Sequence, residues 1–404
     1  MLSPSPLTQD PSSGRSRFDW CIFSLLVMFL LCSAFSIALS EIGYFSALVL
    51  WLAKSIALKK FPSPRTPLDR FFLAYAAAEM LATMFAHDKL YSLLYLQRRL
   101  LLLPIAYILL GNLNTLKDVK ILFGAMIISA FAVSLLGLQD FFLNFSEYWH
   151  FQRRLSEFQM YMTAGGIMMV IVLMLLPFVI HPKTPRKVRI LFSLAIVPML
   201  VNLMFTFTRS SWLGFIAGAV IIGLFRSKKL LIPLVVIIVA IVLLAPPEIK
   251  GRIYSIVDPH HPSNAPRVHM WETGLKIFRD YPVFGIGDVG VETVWDRYSD
   301  PAWAPEGHLH NNLIMWLATI GIVGFSALVA LFVKLWMVVR RIAKRHAGDW
   351  FVSSIALGGL AMMAGFHING LFEWNFGDAE IITLVWAIVG LILASEKALL
   401  SESR

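Results

Sequence analysis

Long apolar stretches broken by short polar ones set the rhythm of this chain. Nearly uncharged runs recur near residues 20–39, 42–58, 71–86, 92–111, 119–140, 159–180, 190–207, 211–225, 230–246, 311–338, 352–370 and 379–395. Crossing about 30 Å of hydrocarbon takes roughly 17–25 apolar residues in a helix. In lipid a helix also satisfies all of its own backbone polar groups. The pattern therefore predicts an all-α polytopic membrane protein with about 12 transmembrane helices. The third, fourth and eighth runs are the weakest, being short or charged at one end.

Between the ninth and tenth runs the rhythm changes. Residues 247–310 form one long extramembrane loop containing turn formers, "DPHHPSNAP" (258–266), and the stretch "RVHMWETGLKIFRD" (267–280). Val268, Trp271, Leu275 and Phe278 recur there at helical spacing, which predicts a short amphipathic helix able to lie on a membrane and roof a cavity. Pro282 ends it, and Gly285, Gly287 and Gly290 allow sharp turns after it. The organisation expected is a disordered cytoplasmic lead (1–19), nine helices (20–246), the long loop (247–310), three helices (311–395) and a cytoplasmic tail (396–404).

Composition narrows the class. Only 15% of residues are charged, against roughly 25% in soluble domains. The apolar run at 21–39 is too long for a signal-peptide core and is read as retained. Cys21 and Cys32 stand about 16 Å apart along one predicted helix, so they neither bridge each other nor supply a metal site.

The net charge of +10 becomes informative once distributed. With a cytoplasmic N-terminus, about 23 of the 35 Lys and Arg fall inside and about 12 outside, which the positive-inside rule favours. An even number of spans keeps both termini cytoplasmic. The outer set holds about nine Arg and about three Lys. Arg grips phosphate or carboxylate through a planar fork, whereas Lys is a point charge. Arg98, Arg99, Arg153, Arg154, Arg209 and Arg267 all lie close to predicted membrane edges. Each alone is explained by contact with head groups or neighbouring helices; together they point to an anionic ligand at the outer surface.

Two stretches carry candidate chemistry. In "GHLHNNLIMWLATIGIVG" (307–324), His308 and His310 precede a span, where neutral imidazole serves as a general base. Gly321 and Gly324 are expected to give a neighbouring helix a smooth surface to pack on, fixing the histidine. The bland alternative is an interfacial histidine, and a zinc site completed by His260, His261 and His269 is a further one. In "MFTFTRSSWLGF" (204–215), Arg209 sits between two apolar runs and needs a partner. Ligand phosphate competes for that role with Glu272, Asp288, Glu306, Glu373 and Asp378. Glu79, inside the third run, reads as a packing contact.

In this order the pieces resemble the O-antigen ligase family and the wider superfamily it shares with O-antigen polymerases. His310-Asn311 followed by Gly321 and Gly324 is similar to the family's His-Asn-x9-Gly-x-x-Gly, with a departure at Phe325. "TRSSWLG" (208–214) and "RVHMWETGLKIFRDYPVFGIG" (267–287) look like its two arginine-bearing segments. "FEWNFGDAE" (372–380) is similar to its last outer loop, and "RRLSEFQMYMTAGG" (153–166) is a weaker match.

The resemblance implies a GT-C-like glycosyltransferase in the bacterial inner membrane, working at the periplasmic face. Its donor would be a polysaccharide on undecaprenyl diphosphate and its acceptor a sugar hydroxyl of lipid A-core. Nucleic acid has no part in this reading. His310 would act as base, with His308 as orienting neighbour and Asn311 holding the ring or the acceptor. Arg209 and Arg267 would clamp the diphosphate, helped by Arg153 or Arg154. Arginines would replace a divalent ion, so no metal or other cofactor is expected. The alternatives are an O-antigen polymerase with a second lipid-linked acceptor, and a transporter of an anionic lipid or solute, whose site would sit near the midplane of inverted repeats.

Overall fold

The computed structural model describes residues 16–403 except 60, 62, 151, 152, 156, 157, 245, 246, 257, 259 and 260. Most of the expected lead and His260 therefore lie outside the described residues. The described residues are helical, with no strand: α1 (Arg17–Cys32), α2 (Ile37–Leu58), α3 (Asp69–Met84), α4 (Lys89–Leu100), α5 (Pro104–Asn112), α6 (Leu116–Leu143), α7 (Phe145–His150), α8 (Tyr161–Ile180), α9 (Arg186–Phe205), α10 (Arg209–Arg226), α11 (Leu231–Leu244), α12 (Pro247–Tyr254), α13 (Ala265–Asp280), α14 (Trp295–Tyr298), α15 (Asn312–Arg345), α16 (Trp350–Asn369) and α17 (Ala379–Glu402).

Among the described residues, eight helices are long and apolar enough to cross a membrane: α2, α6, α8, α9, α10, α15, α16 and α17. The remaining predicted spans correspond to shorter elements. α1 and α3 have 16 residues each and α11 has 14. The run at 92–111 is two helices rather than one, because the chain turns at 101–103 and Pro104 begins α5. Proline suits a helix's first turn but would remove a ladder bond from its interior. α1 starts at Arg17, inside the expected lead, with Ser16 accepting a hydrogen bond from the Asp19 amide. The expected tail is helical to Glu402.

α8, α16 and α17 form the centre of the bundle, buried along most of their length. Small residues let them approach: a Cβ on Gly214 would meet the Gly365 carbonyl, and one on Gly218 the Ala361 carbonyl. α10 therefore runs antiparallel to α16 in close backbone contact, the small-residue packing that membrane helices favour. Where a helix such as α8 is apolar all round, dispersion rather than amphipathicity holds it.

Antiparallel packing sorts the termini into two ends. One end gathers the starts of α8, α10, α15 and α17 with the end of α16: Thr208 donates to the Tyr161 carbonyl, Asn369 to Ser211 and Thr163 to Asp378. The other gathers the cation-rich segments 181–189 and 340–346, where the His181 ring meets the Ala347 carbonyl at 3.4 Å.

α15 is not continuous. Gly321 has φ 61° and ψ −169°, so the helix breaks there. The amides of Ile322 and Val323 bond to the carbonyls of Pro282 and Val283, while Ile286 and Gly287 donate to Ala318 and Thr319. A side chain at Gly321 would strike the backbone of Val283 and Phe284. The expected helix-on-helix contact is thus corrected: the glycine admits a loop, which takes up the hydrogen bonds that the break releases. Nine residues separate Asn312 from Gly321, so the loop descends about 13 Å along α15.

Candidate active site

Asn311 begins the site by ending a loop. Its side chain accepts from the Leu313 and Ile314 amides, capping α15, and donates to the Leu371 carbonyl at 2.9 Å. Asn312 is tied likewise, donating to Asn375 at 2.5 Å and accepting from the Phe376 amide. The turn before α15 and the loop 371–378 are thereby held together. The polar atoms of Asn311 are engaged in that framework.

His310 projects from this turn with φ 46°, a left-handed conformation uncommon for a residue with a Cβ. Its Nδ1 lies 2.6 Å from Glu373, and the other Glu373 oxygen is 3.3 Å from Arg267. The ionised carboxylate only accepts, so it selects the tautomer with the proton on Nδ1 and leaves the lone pair on Nε2. Burial pushes the Glu373 carboxyl up, but the hydrogen bond from His310 and the charges of His310 and Arg267 outweigh it and hold it below its ordinary range. The His308 ring lies edge-on to His310 at 4.3 Å. Burial, followed by the charge of His310, pushes His308 down to about 4, so it is neutral near pH 7.

Arg267 reaches Glu373 from the first turn of α13. Met270, Thr273, Gly274 and Ile277 are the buried stripe of that helix, because the missing side chain at Gly274 admits Leu309 and Ile314. The stripe read from sequence faces otherwise: Val268, Trp271 and Phe278 are half-buried and Leu275 is exposed.

Arg209 opens α10 and is buried. Its Nη1 donates to the Ser255 carbonyl and hydroxyl, both at 2.6 Å, and its Nη2 to Ser263 at 2.8 Å and Asn264 at 2.7 Å. These bonds fasten the segment before α13, so Arg209 and Arg267 are linked through three residues of chain. Of the carboxylates considered as its partner, Asp288 pairs with Arg99, Glu373 with Arg267 and His310, and Asp378 accepts from Thr163.

The helper arginines sit beside this corner. Arg154 lies over the Tyr161 ring at 4.1 Å, and the Tyr161 carbonyl accepts from Thr208, the residue before Arg209. Arg153 is half exposed and pairs with Glu147 at 2.7 Å and Asp140 at 3.3 Å. Arg99 departs from the outer-ligand reading: its nitrogens meet Glu79 at 3.2 Å and Asp288 at 2.6 Å inside the protein. Glu79 is accordingly an ion-pair partner, which also accepts from Tyr75 at 2.5 Å. Of the histidines considered for zinc, His261 bonds Ser263 and His269 bonds Ser299, each at 2.8 Å. His310, Glu373 and Arg267 thus share one cluster, with Arg209 and Arg154 on the adjoining corner. Glu373 is the residue that sequence reasoning placed elsewhere, as a possible partner of Arg209.

Residues 194–329 match the family model described as O-antigen ligase. This segment contains Arg209, Arg267, His308, His310, Gly321 and Gly324 but not Glu373. No curated protein matches the chain.

Proposed function

We propose that the chain, whose residues 194–329 match the O-antigen ligase family model, transfers a polysaccharide from undecaprenyl diphosphate to a sugar hydroxyl of lipid A-core. The reaction is placed at the periplasmic face of the bacterial inner membrane, with both termini cytoplasmic. The observation that carries this reading is a single carboxylate, Glu373, held between the His310 imidazole and the Arg267 guanidinium. One end of that cluster is suited to take a proton and the other to receive an anion.

In the proposed step the acceptor oxygen attacks the anomeric carbon while its proton passes to His310 Nε2. The bond from that carbon to the diphosphate oxygen breaks, and the leaving group departs with the electron pair. Attack opposite the leaving group inverts the anomeric centre. Charge develops on two groups at once, the diphosphate and the imidazolium. Arg267 stabilises the first through the donors it holds beyond its Glu373 bond. Glu373 stabilises the second, as a carboxylate behind a catalytic histidine does elsewhere. Arg209 has its terminal nitrogens on Ser255, Ser263 and Asn264, so its direct share of the clamp requires the diphosphate to displace some of them. Arg153 and Arg154 stand as helpers, and no divalent metal is required.

Reconstitution with purified lipid-linked glycan and lipid A-core tests the reading. Glycan should appear on lipid A-core, and His310→Ala should lose at least about 10²-fold in rate while remaining folded. Elongation of the lipid-linked donor instead would replace ligase by polymerase. Turnover abolished by EDTA and restored by metal would end the metal-free mechanism.

A further inference from the structure

A second polar cluster adjoins the end of the loop that carries His310. Tyr91 and Tyr95 project from α4 with ring centroids 4.9 Å apart and hydroxyls 3.1 Å apart. Tyr91 also donates to Glu292 at 3.3 Å, in the long loop. The Glu292 carboxylate curls over Gly290 and lies 3.5 Å from where a Cβ on Gly307 would stand. Gly307 precedes His310 by three residues, a reach of at most about 10 Å, and the Val291 amide binds the Gly307 carbonyl. Glu292 and Gly307 are exposed, and the two tyrosines are half-buried.

α4 turns its polar side to this loop and its apolar side outward. Leu90, Leu93 and Leu94 are exposed, whereas Ser92, Tyr91, Tyr95 and Arg99 face the loop or the bundle. The tyrosines and Glu292 therefore gather where α4 meets the long loop rather than on the outward face.

We propose that Tyr91, Tyr95 and Glu292 form a saccharide subsite that receives the acceptor glycan; this rests on the glycan-transfer reading above. Aromatic faces pack against the C–H faces of pyranose rings, tyrosine adds a polar handle, and a carboxylate accepts from neighbouring sugar hydroxyls. Gly290 and Gly307 leave the carboxylate uncovered by side chains. The cluster bonds none of Arg267, Arg209 and Arg154, the cations read as holding the diphosphate, so the glycan it receives is the acceptor's.

The test uses the full-length protein in detergent without donor, probed with delipidated core oligosaccharide by saturation-transfer NMR and titration calorimetry. Wild type should bind it, and Glu292→Gln and Tyr91→Phe should each weaken binding about tenfold. With donor present, the same variants should raise KM for lipid A-core by about tenfold with kcat within about twofold, the pattern of lost uniform binding. A merely structural hydrogen-bond chain would lower kcat or yield without that split. Tyr91→Phe removes one hydroxyl only and guards against misfolding of the Glu292 variant. Absence of oligosaccharide binding by wild type, unchanged binding in both variants, or capture of the donor's repeat oligosaccharide instead would overturn the subsite. If the variants lose binding but wild type transfers nothing, the subsite stands and the transfer reading falls.

Discussion

Two charged trios in this protein share components but invert their arrangement. At Glu373 one carboxylate stands between Arg267 and His310, with side-chain exposures of 11%, 19% and 17%. At Arg99 one guanidinium stands between Glu79 and Asp288, whose side chains are 0% and 1% exposed. The first can present an imidazole lone pair and guanidinium donors to a ligand. In the second both carboxylates are enclosed and hold the guanidinium, which is 13% exposed: Arg99 also lies 5.2 Å from the Trp374 ring centroid, and burial pushes the Asp288 carboxyl up to about 7 against the pull of Arg99. It joins α3 and α4 to the long loop and lies against the residue that follows Glu373. A guanidinium near a membrane edge is therefore not by itself a ligand site. What distinguishes chemistry from scaffold is whether the partners leave a valence pointing outward.

That distinction is breakable by mutation. Arg99→Met leaves two buried carboxylates without their cation and should destabilise the fold by about 3–5 kcal/mol, read as a lowered midpoint of thermal unfolding in detergent. Adding Glu79→Gln and Asp288→Asn should restore much of it; an unchanged midpoint in Arg99→Met would remove the trio's structural role. At the other trio the fold should survive and the rate should fall. Glu373→Gln offers His310 an amide donor, which favours the tautomer with its proton on Nε2, so kcat should drop by about 10²-fold or more. Near-wild-type turnover in that variant would show that the carboxylate does not set the tautomer.

Arg267→Lys keeps the charge but loses the fork, so a smaller fall of about tenfold in kcat/KM is expected. Equal activity would argue against a bidentate phosphate contact. The smallest effect concerns His308. Its folded value of about 4 lies below the ordinary 6.5, so between these values the unfolded chain binds more protons than the folded one. Stability should be full above pH 6.5 and decline as pH falls toward 4. His308→Gln should make that acid slope shallower, measured by unfolding midpoints across the window. An identical slope would mean that other groups set it.

Hydropathy placed a helix or a helix pair under every predicted span. It failed at 92–111, where mean apolarity hides the break before Pro104, and at Gly321, where one φ value interrupts an uninterrupted apolar run. It also misjudged α13, whose buried stripe is decided by the space that Gly274 leaves for Leu309 and Ile314. The histidines, Arg209 and Arg267 were legible because reactive or charged side chains are conspicuous at the rim of an apolar run. Their partners were not.

The sequence by itself determined an all-helical polytopic membrane protein. This follows from local composition, since the partition of each segment between lipid and water depends on that segment alone. Tertiary structure alone decided that Glu373, 63 residues beyond His310 and 106 beyond Arg267, joins those two in one cluster while Arg99 pairs with Glu79 and Asp288. Hydrogen bonds and ion pairs act over a few ångströms, so they belong to whichever residues the folded helices bring within that distance.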